Sequence, residues 1–354
     1  MAQIAAFSEK GPVRNTNQDA CCVEVAETPY GEVVMAVVCD GVGGLELGEL
    51  ASSTVVARFS RWFEEELPSL SSNGLVGHST VRFIWSALLT ELNDLIQAHV
   101  VGRDAGVGTT FSGIFCHSGR YLVAHVGDSR IYQVGPLTFD QITEDQTLVA
   151  RELAAGNITP EEARTYPKKN VILQAVGTER TLKPEFYEGG YTANDVFVLC
   201  SDGAYKRPGS DGIKMLFQTP TGLDEAAMEL RCKTLVEQDI VHGEKDNVTI
   251  ACFSTDPGTI GDAAAAGESA FIQTREYIGD ADDSPTAVMS VNEDDLPTNM
   301  MSAYSEDDLP TNMMSAYSED DLPTNTYQGL TDDDLDTAVM YDQPADTSRE
   351  EADA

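Results

Sequence analysis

The sequence predicts an α+β domain of layered sheets and helices over residues 1–255, followed by a disordered acidic tail over residues 256–354. Three observations carry that expectation. Short valine-rich apolar runs follow one another in hairpin-like succession, as antiparallel strands do. Stretches with a helical period are inserted between groups of strands instead of alternating with each strand, which favours an α+β arrangement over βαβ units. After Thr255, Gly, Ala, Asp and Ser dominate and apolar clusters vanish, so the segment cannot bury enough surface to offset its chain entropy.

Along the chain, Gln3 to Phe7 reads as a first strand, and Glu9-Lys10-Gly11-Pro12 as a turn. The polar run Arg14 to Asp19 is a loop, followed by a strand from Ala20 to Ala26. Val33 to Cys39 is a seven-residue apolar run that ends on Asp40-Gly41 and the glycines Gly43-Gly44, the pattern of a buried strand running into a tight turn. Residues 46–67 and 79–101 repeat apolar positions on a helical period, through Leu50, Val55, Phe59 and Trp62 and then Val81, Ile84, Leu88 and Leu92. Residues 106–116 and 120–126 read as a strand pair around Ser118-Gly119, and Ile131 to Val134 as another strand. Short helices are expected over 145–155 and 159–165, the second starting with proline at its first position. Val196 to Cys200 is a strand ending on Ser201-Asp202-Gly203, 222–240 a helix, and Val248 to Phe253 a closing strand entered through Lys245-Asp246-Asn247.

The net charge of −37 excludes some partners. Residues 1–255 carry −14 and the tail −23, so neither nucleic acid nor an anionic membrane surface is expected. No apolar run approaches the roughly 20 residues of a spanning helix, and membrane insertion is not expected. The seven cysteines precede residue 256, without a CxxC pair; the odd count and the burial of several in strands point to free thiols in a reducing, cytoplasmic setting.

Three aspartates, Asp40, Asp202 and Asp246, stand at the ends of apolar strands. Carboxylates on glycine-bearing loops suit hard divalent cations, Mn²⁺ or Mg²⁺, which take oxygen ligands. An aspartate bridging two such ions could activate water for attack on a phosphoryl group, with Arg14 binding the phosphate oxygens. On spacing alone a plain hairpin reading stays open, because Asp-Gly is also common in such turns.

The ordered set Arg14, Asn17-Gln18-Asp19, Asp40-Gly41-Val42-Gly43-Gly44, Gly108-Thr109-Thr110, Gly127-Asp128-Ser129-Arg130, Ser201-Asp202-Gly203 and Asp246-Asn247 resembles the type 2C metal-dependent serine/threonine protein phosphatases in their bacterial form. The resemblance covers residues 1–254 and implies a four-layer α-β-β-α sandwich of two antiparallel sheets flanked by helices, with the metal site at one edge. It implies that Asp40 bridges two metals and the Gly41 carbonyl binds the second. Asp202 and Asp246 would hold the first, and Asp19 would sit behind them, bonded to metal waters. Arg14 would grip the substrate phosphate, Asp128 with Asp202 would form a weaker third metal site, and Asn247 would be a positioning residue. Two positions depart from some relatives. Val42 stands where a histidine general acid has been proposed, and Gln18 where others carry glutamate. His125 is a candidate substitute acid, against the plainer reading of a packed strand histidine. Residues 145–190 correspond to the family's variable flap, which would influence substrate choice.

The implied activity is hydrolysis of phosphoserine and phosphothreonine on proteins, opposing a serine/threonine kinase. The rival is a catalytically weak phosphatase-fold scaffold whose tail does the work. That tail repeats EDDLPTN with a period of 13 over about 287–325. It is either a solvated acidic extension or an array of phospho-acceptors, Thr298, Thr311 and Thr324 in the repeats with Thr286 and Thr337 before Ala-Val, read by a forkhead-associated-domain protein.

Overall fold

Alternation along a single strand sets the layers. Val33, Met35, Val37 and Cys39 pack into one apolar cluster, while Val34, Ala36 and Val38 pack into another. Successive side chains of a strand point to opposite faces, so this strand has a core on both sides and the seven-residue run has no polar face. The computed structural model describes residues 2–43, 46–100, 106–219, 223–255 and 275–278.

The chain starts with strands β1 (Gln3–Glu9), β2 (Asp19–Thr28) and β3 (Gly31–Val42). Helix α1 (Glu46–Arg61) continues through a π-helical turn, Trp62–Glu66, into α2 (Leu67–Ser72), and α3 (His78–Val100) follows. Strands β4 (Gly108–Thr109), β5 (Phe111–His117), β6 (Arg120–Val126), β7 (Arg130–Val134) and β8 (Phe139–Gln141) come next. Helices α4 (Leu148–Ala154) and α5 (Pro160–Arg164) lead to β9 (Glu185–Gly190) and β10 (Val196–Cys200). Helices α6 (Asp202–Tyr205), α7 (Gly209–Phe217) and α8 (Glu225–Val241) precede β11 (Val248–Ser254) and β12 (Arg275–Ile278).

Two antiparallel sheets result. One runs β1-β11-β10-β7-β8, and the other β12-β2-β3-β5-β6-β9 with β4 paired to β3. Ile4, Val34, Ile114, Phe197, Leu199 and Phe253 fill the space between them. Phe59, Trp62, Trp85 and Leu92, from the helices after β3, cover the outer face of the second sheet. Ile213, Phe217, Met228 and Leu235 cover the first. This is the expected four-layer α-β-β-α sandwich.

Several elements depart from the sequence expectation. The helix expected over 46–67 is interrupted by the π-turn, and the strand expected over 106–116 breaks at Thr110. Strand β9, EFYEGG, has no apolar alternation to announce it; pairing with β6 from Arg120↔Gly190 to His125↔Glu185 forms it. The chain divides into units Met1–Ser290 and Val291–Ala354. Within the segment expected to be disordered, β12 pairs with β2 through Arg275↔Val25 to Ile278↔Cys22, because the edge of β2 offers unpaired backbone groups. Thr286, Thr298, Thr311, Thr324, Thr337 and the 13-residue repeats lie outside the described residues.

Candidate active site

The two sheets end on acids at one edge. In the second sheet the β2–β3 register sets Asp19 directly opposite Asp40. Like charges facing across strands destabilise a sheet, so this pair calls for a compensating cation. The Asp40 backbone is fixed on both sides: its N–H donates to Thr110 Oγ1 at 2.8 Å, and its carbonyl accepts from Thr110 N at 2.8 Å and Thr109 Oγ1 at 3.0 Å. Gly41 must be glycine. A Cβ there would meet the Gly48 carbonyl oxygen at 2.3 Å and that of Gln18 at 2.6 Å.

From the first sheet, β10 delivers Ser201 and Asp202, and the turn before β11 delivers Asp246 and Asn247. Ser201 Oγ donates to Asp19 Oδ2 at 2.7 Å, joining the two sheets. Asn247 accepts from Gln18 N at 3.0 Å and donates to the carbonyls of Lys10 and Thr16 at 2.9 and 3.0 Å. It therefore holds the 10–18 loop in place, the positioning role expected of it. From that loop Arg14 Nη2 contacts both carboxylate oxygens of Asp246 at 2.7 Å. Asp202 opens α6, and Lys206 one turn on donates its ammonium to Asp202 Oδ2.

Asp128 lies behind this edge, 3 % exposed. Its carbonyl accepts from the Tyr205 hydroxyl at 2.9 Å, and the Arg130 guanidinium stacks 3.7 Å over the Tyr205 ring. Arg130 is committed to Asp145 through two bonds of 2.7 and 2.6 Å. Beyond it a groove of about 1000 Å³ opens against the 145–190 segment, lined by Gln146, Leu173, Lys183 and Glu185 among others.

Burial is the first cause that lifts Asp19, Asp40, Asp128 and Asp202 above the ordinary carboxylate range. Asp19 rises to about 7 despite hydrogen bonds from Ser201 and Thr249, with Asp202 and Asp246 adding to the rise. Asp40 is pushed well up, with Asp19, Asp202, Asp128 and Asp246 all contributing. Asp128 rises to about 7, chiefly through burial and then Asp202. Asp202 is raised by burial, against the pull of Lys206. Acids so coupled hold their protons unless positive charge is supplied.

A hard cation fits this donor set. The buried oxygens Asp19 Oδ1, Asp128 Oδ1 and Asp202 Oδ1 have no hydrogen-bond partner, and such groups are costly unless something satisfies them. Among the described residues, however, no three Asp, Glu, His or Cys side chains stand close enough as placed to ligate one ion. Asp246 is paired with Arg14 and Asp202 with Lys206.

The structure thus places Asp40 within electrostatic reach of Asp19, Asp128, Asp202 and Asp246, and Arg14 within reach of Asp246, Asp40 and Asp202. His125 is not part of this set. It is fully buried, with its ring nitrogens 2.9 Å from Ser112 Oγ and 3.1 Å from the Glu144 carbonyl, and burial lowers it to about 4. It is the packed strand histidine of the plainer reading. Sequence reasoning missed Ser201 as the tie to Asp19, and it missed Tyr205 and Lys206. The i,i+4 spacing from Asp202 to Lys206 was a usable signal, but it needed the four-residue helix α6 to be recognised.

The family profile described as Protein phosphatase 2C matches residues 13–238. The protein phosphatase PhpP of Streptococcus pneumoniae is 28% identical over 256 residues, 71% of this chain and 97% of that protein. The serine/threonine protein phosphatase PstP of Mycobacterium tuberculosis is 29% identical over 253 residues, 70% of this chain and 44% of that protein. Among solved structures, a bacterial serine phosphatase superposes with a TM-score of 0.62 at 26% identity, covering 73% of this chain and all of that one. The catalytic domain of PstP in complex with two manganese ions superposes with a TM-score of 0.57 at 28% identity, covering 72% and 98%. With its two antiparallel sheets, flanking helices and edge of converging aspartates, the chain belongs to the protein phosphatase 2C family of serine/threonine protein phosphatases, in its bacterial form.

Proposed function

We propose that the chain hydrolyses phosphoserine and phosphothreonine in proteins, using two Mn²⁺ or Mg²⁺ ions at the acidic edge, and that it opposes a serine/threonine kinase. The observation that supports this best is the set of unpartnered buried carboxylate oxygens on Asp19, Asp128 and Asp202 within one coupled group of acids. Asp40 would be shared by both ions, the Gly41 carbonyl would serve one, and Asp202 and Asp246 the other, with Asp19 acting through water. When bound, such a pair supplies a nucleophile from water at neutral pH and offsets charge on the phosphoryl oxygens.

The chain's own groups do the rest. Thr109 and Thr110 hold Asp40 in register. Arg14, half exposed at the rim, presents a planar donor fork to a phosphate dianion. In turning to the substrate it releases Asp246 for a cation. Val42 has no ionisable proton and His125 is packed away, so the leaving alkoxide takes its proton from metal-bound water or another group at the edge. The groove beside the 145–190 flap would sort substrates by the sequence around the phosphorylated residue.

The test is turnover of p-nitrophenyl phosphate and a phosphothreonine peptide with Mn²⁺, with nucleotides as the contrast. Chelation, Asp40→Asn and Asp202→Asn should each abolish turnover while circular dichroism stays unchanged. Substantial activity in either variant overturns the assignment. One observation bears on the scaffold reading: Asp202 and Asp246 are each paired with a cationic side chain. The same assay decides between them. The tail threonines remain proposed phospho-acceptors for a forkhead-associated-domain partner; absence of phosphate on all five after incubation with cognate kinases removes that role.

A further inference from the structure

We infer that the ammonium of Lys206 takes the place of a third divalent cation between Asp128 and Asp202, so that this chain works with two. The inference rests on the two-cation reading above and concerns only the weaker third site, which the family resemblance would build from those two carboxylates.

The contacts specify the occupant. Lys206 lies four residues beyond Asp202, and residues so spaced share one face of a helical turn. Its Nζ donates to Asp202 Oδ2, with the carboxylate side chain 13% exposed and the lysine 34%. The two arginines at the site are taken: Arg14 by Asp246 and Arg130 by Asp145. Asp128 and Asp40 lie within electrostatic reach of the Lys206 ammonium besides Asp202. An ammonium has three donors and no acceptor, so after bonding Asp202 it retains two for the unpartnered Oδ1 atoms of Asp202 and Asp128.

The same short helix also sets the other half of the site. Tyr205, next to Lys206, ties its hydroxyl to the Asp128 carbonyl and supports Arg130. One turn of chain therefore fixes both the charge and the backbone of its acidic partner. A charge tethered one helical turn away has an effective concentration in the millimolar range or above, and a weakly held free ion competes poorly with it. Asp40, which makes no bond to Lys206, and Asp246, once Arg14 leaves it, serve the two ions of the proposed reaction.

Crystals of the full chain soaked in MnCl₂ test this by manganese anomalous scattering, which counts ions by position and ignores those bound loosely by an acidic tail. Two peaks at the edge are expected, with Lys206 Nζ still on Asp202. In Lys206→Met a third peak should appear between Asp128 and Asp202, and in Lys206→Asp it should reach the occupancy of the other two. Three peaks in the unsubstituted chain overturn the inference and leave the two-ion reading standing. So does an unchanged count of two in both variants. No peak at all overturns the two-ion reading, and this inference with it. In solution, the unsubstituted chain should bind two site-specific Mn²⁺, and Lys206→Asp should gain a third at least tenfold tighter than Lys206→Met gains.

Discussion

Asp40 shows the conflict between function and stability at the scale of one residue. It faces Asp19 across the strand pair, and each of the other edge carboxylates raises its proton affinity. Asp40→Asn should therefore cost at least about a hundredfold in Mn²⁺-dependent turnover, the usual scale for losing a group that acts in the transition state. In metal-free buffer it should raise the melting temperature by a few degrees, on the order of 1 kcal/mol. A melting curve beside the turnover assay checks both. Asp239, which has no role assigned at the edge, offers a second titration. It is 1% exposed, Oδ2 has no partner, and burial, then Glu244, raises it to about 7 from an ordinary 3.8. The folded chain thus keeps a proton that the unfolded chain releases, and stability is lost as pH rises from about 4 to about 7. Asp239→Asn should leave the melting temperature unchanged at pH 4.5 and raise it at pH 8 by about 2–4 °C, roughly 1 kcal/mol once solvent screening is allowed for. Equal shifts at both pH values would disprove the titration.

Among the elements, the 10–18 loop and the helix α6 decide what the strand ends can do. The loop is held by Asn247 through Lys10, Thr16 and Gln18. Asn247→Ala should loosen it, costing about 1–3 kcal/mol for the groups left without partners. Hydrogen exchange across residues 10–18 should speed up, and KM for phosphopeptide should rise more than kcat falls, because Arg14 loses its station. Much of this layer was legible in the chain. The runs Val33–Cys39, Val196–Cys200 and Val248–Phe253 announced buried strands, and the acids ending two of them, with Asp246 just before the third, announced a site. Strand β9 was not legible, because EFYEGG owes its conformation to β6 and not to its own alternation. Nor was α6, whose four residues are too few to carry a helical period.

At the scale of the molecule, two sheets meet through the Phe197 and Phe253 layer, and their edges pool charge that neither holds alone. Millimolar Mn²⁺ should raise the melting temperature and chelation should lower it, since a ligand of the folded state alone stabilises by mass action, about 2.7 kcal/mol at a hundred times Kd. The pairing of β12 with β2 predicts a difference between two truncations. A chain ending at Ser290 should stay monomeric and active. One ending at Thr255 should keep turnover within about twofold but self-associate through the bared β2 edge, as light scattering would show.

Composition, alternation and motif order were enough to determine the class of fold, the aspartates at stake and the family, because strand period and strand-end acids are local properties of a chain. Which side chains meet those acids was decided only by tertiary structure. Ser201 reaching Asp19 and Arg14 reaching Asp246 depend on segments brought together from opposite ends of the sequence. Charge balance at a buried site is set by distance in space, and no spacing along the chain records it.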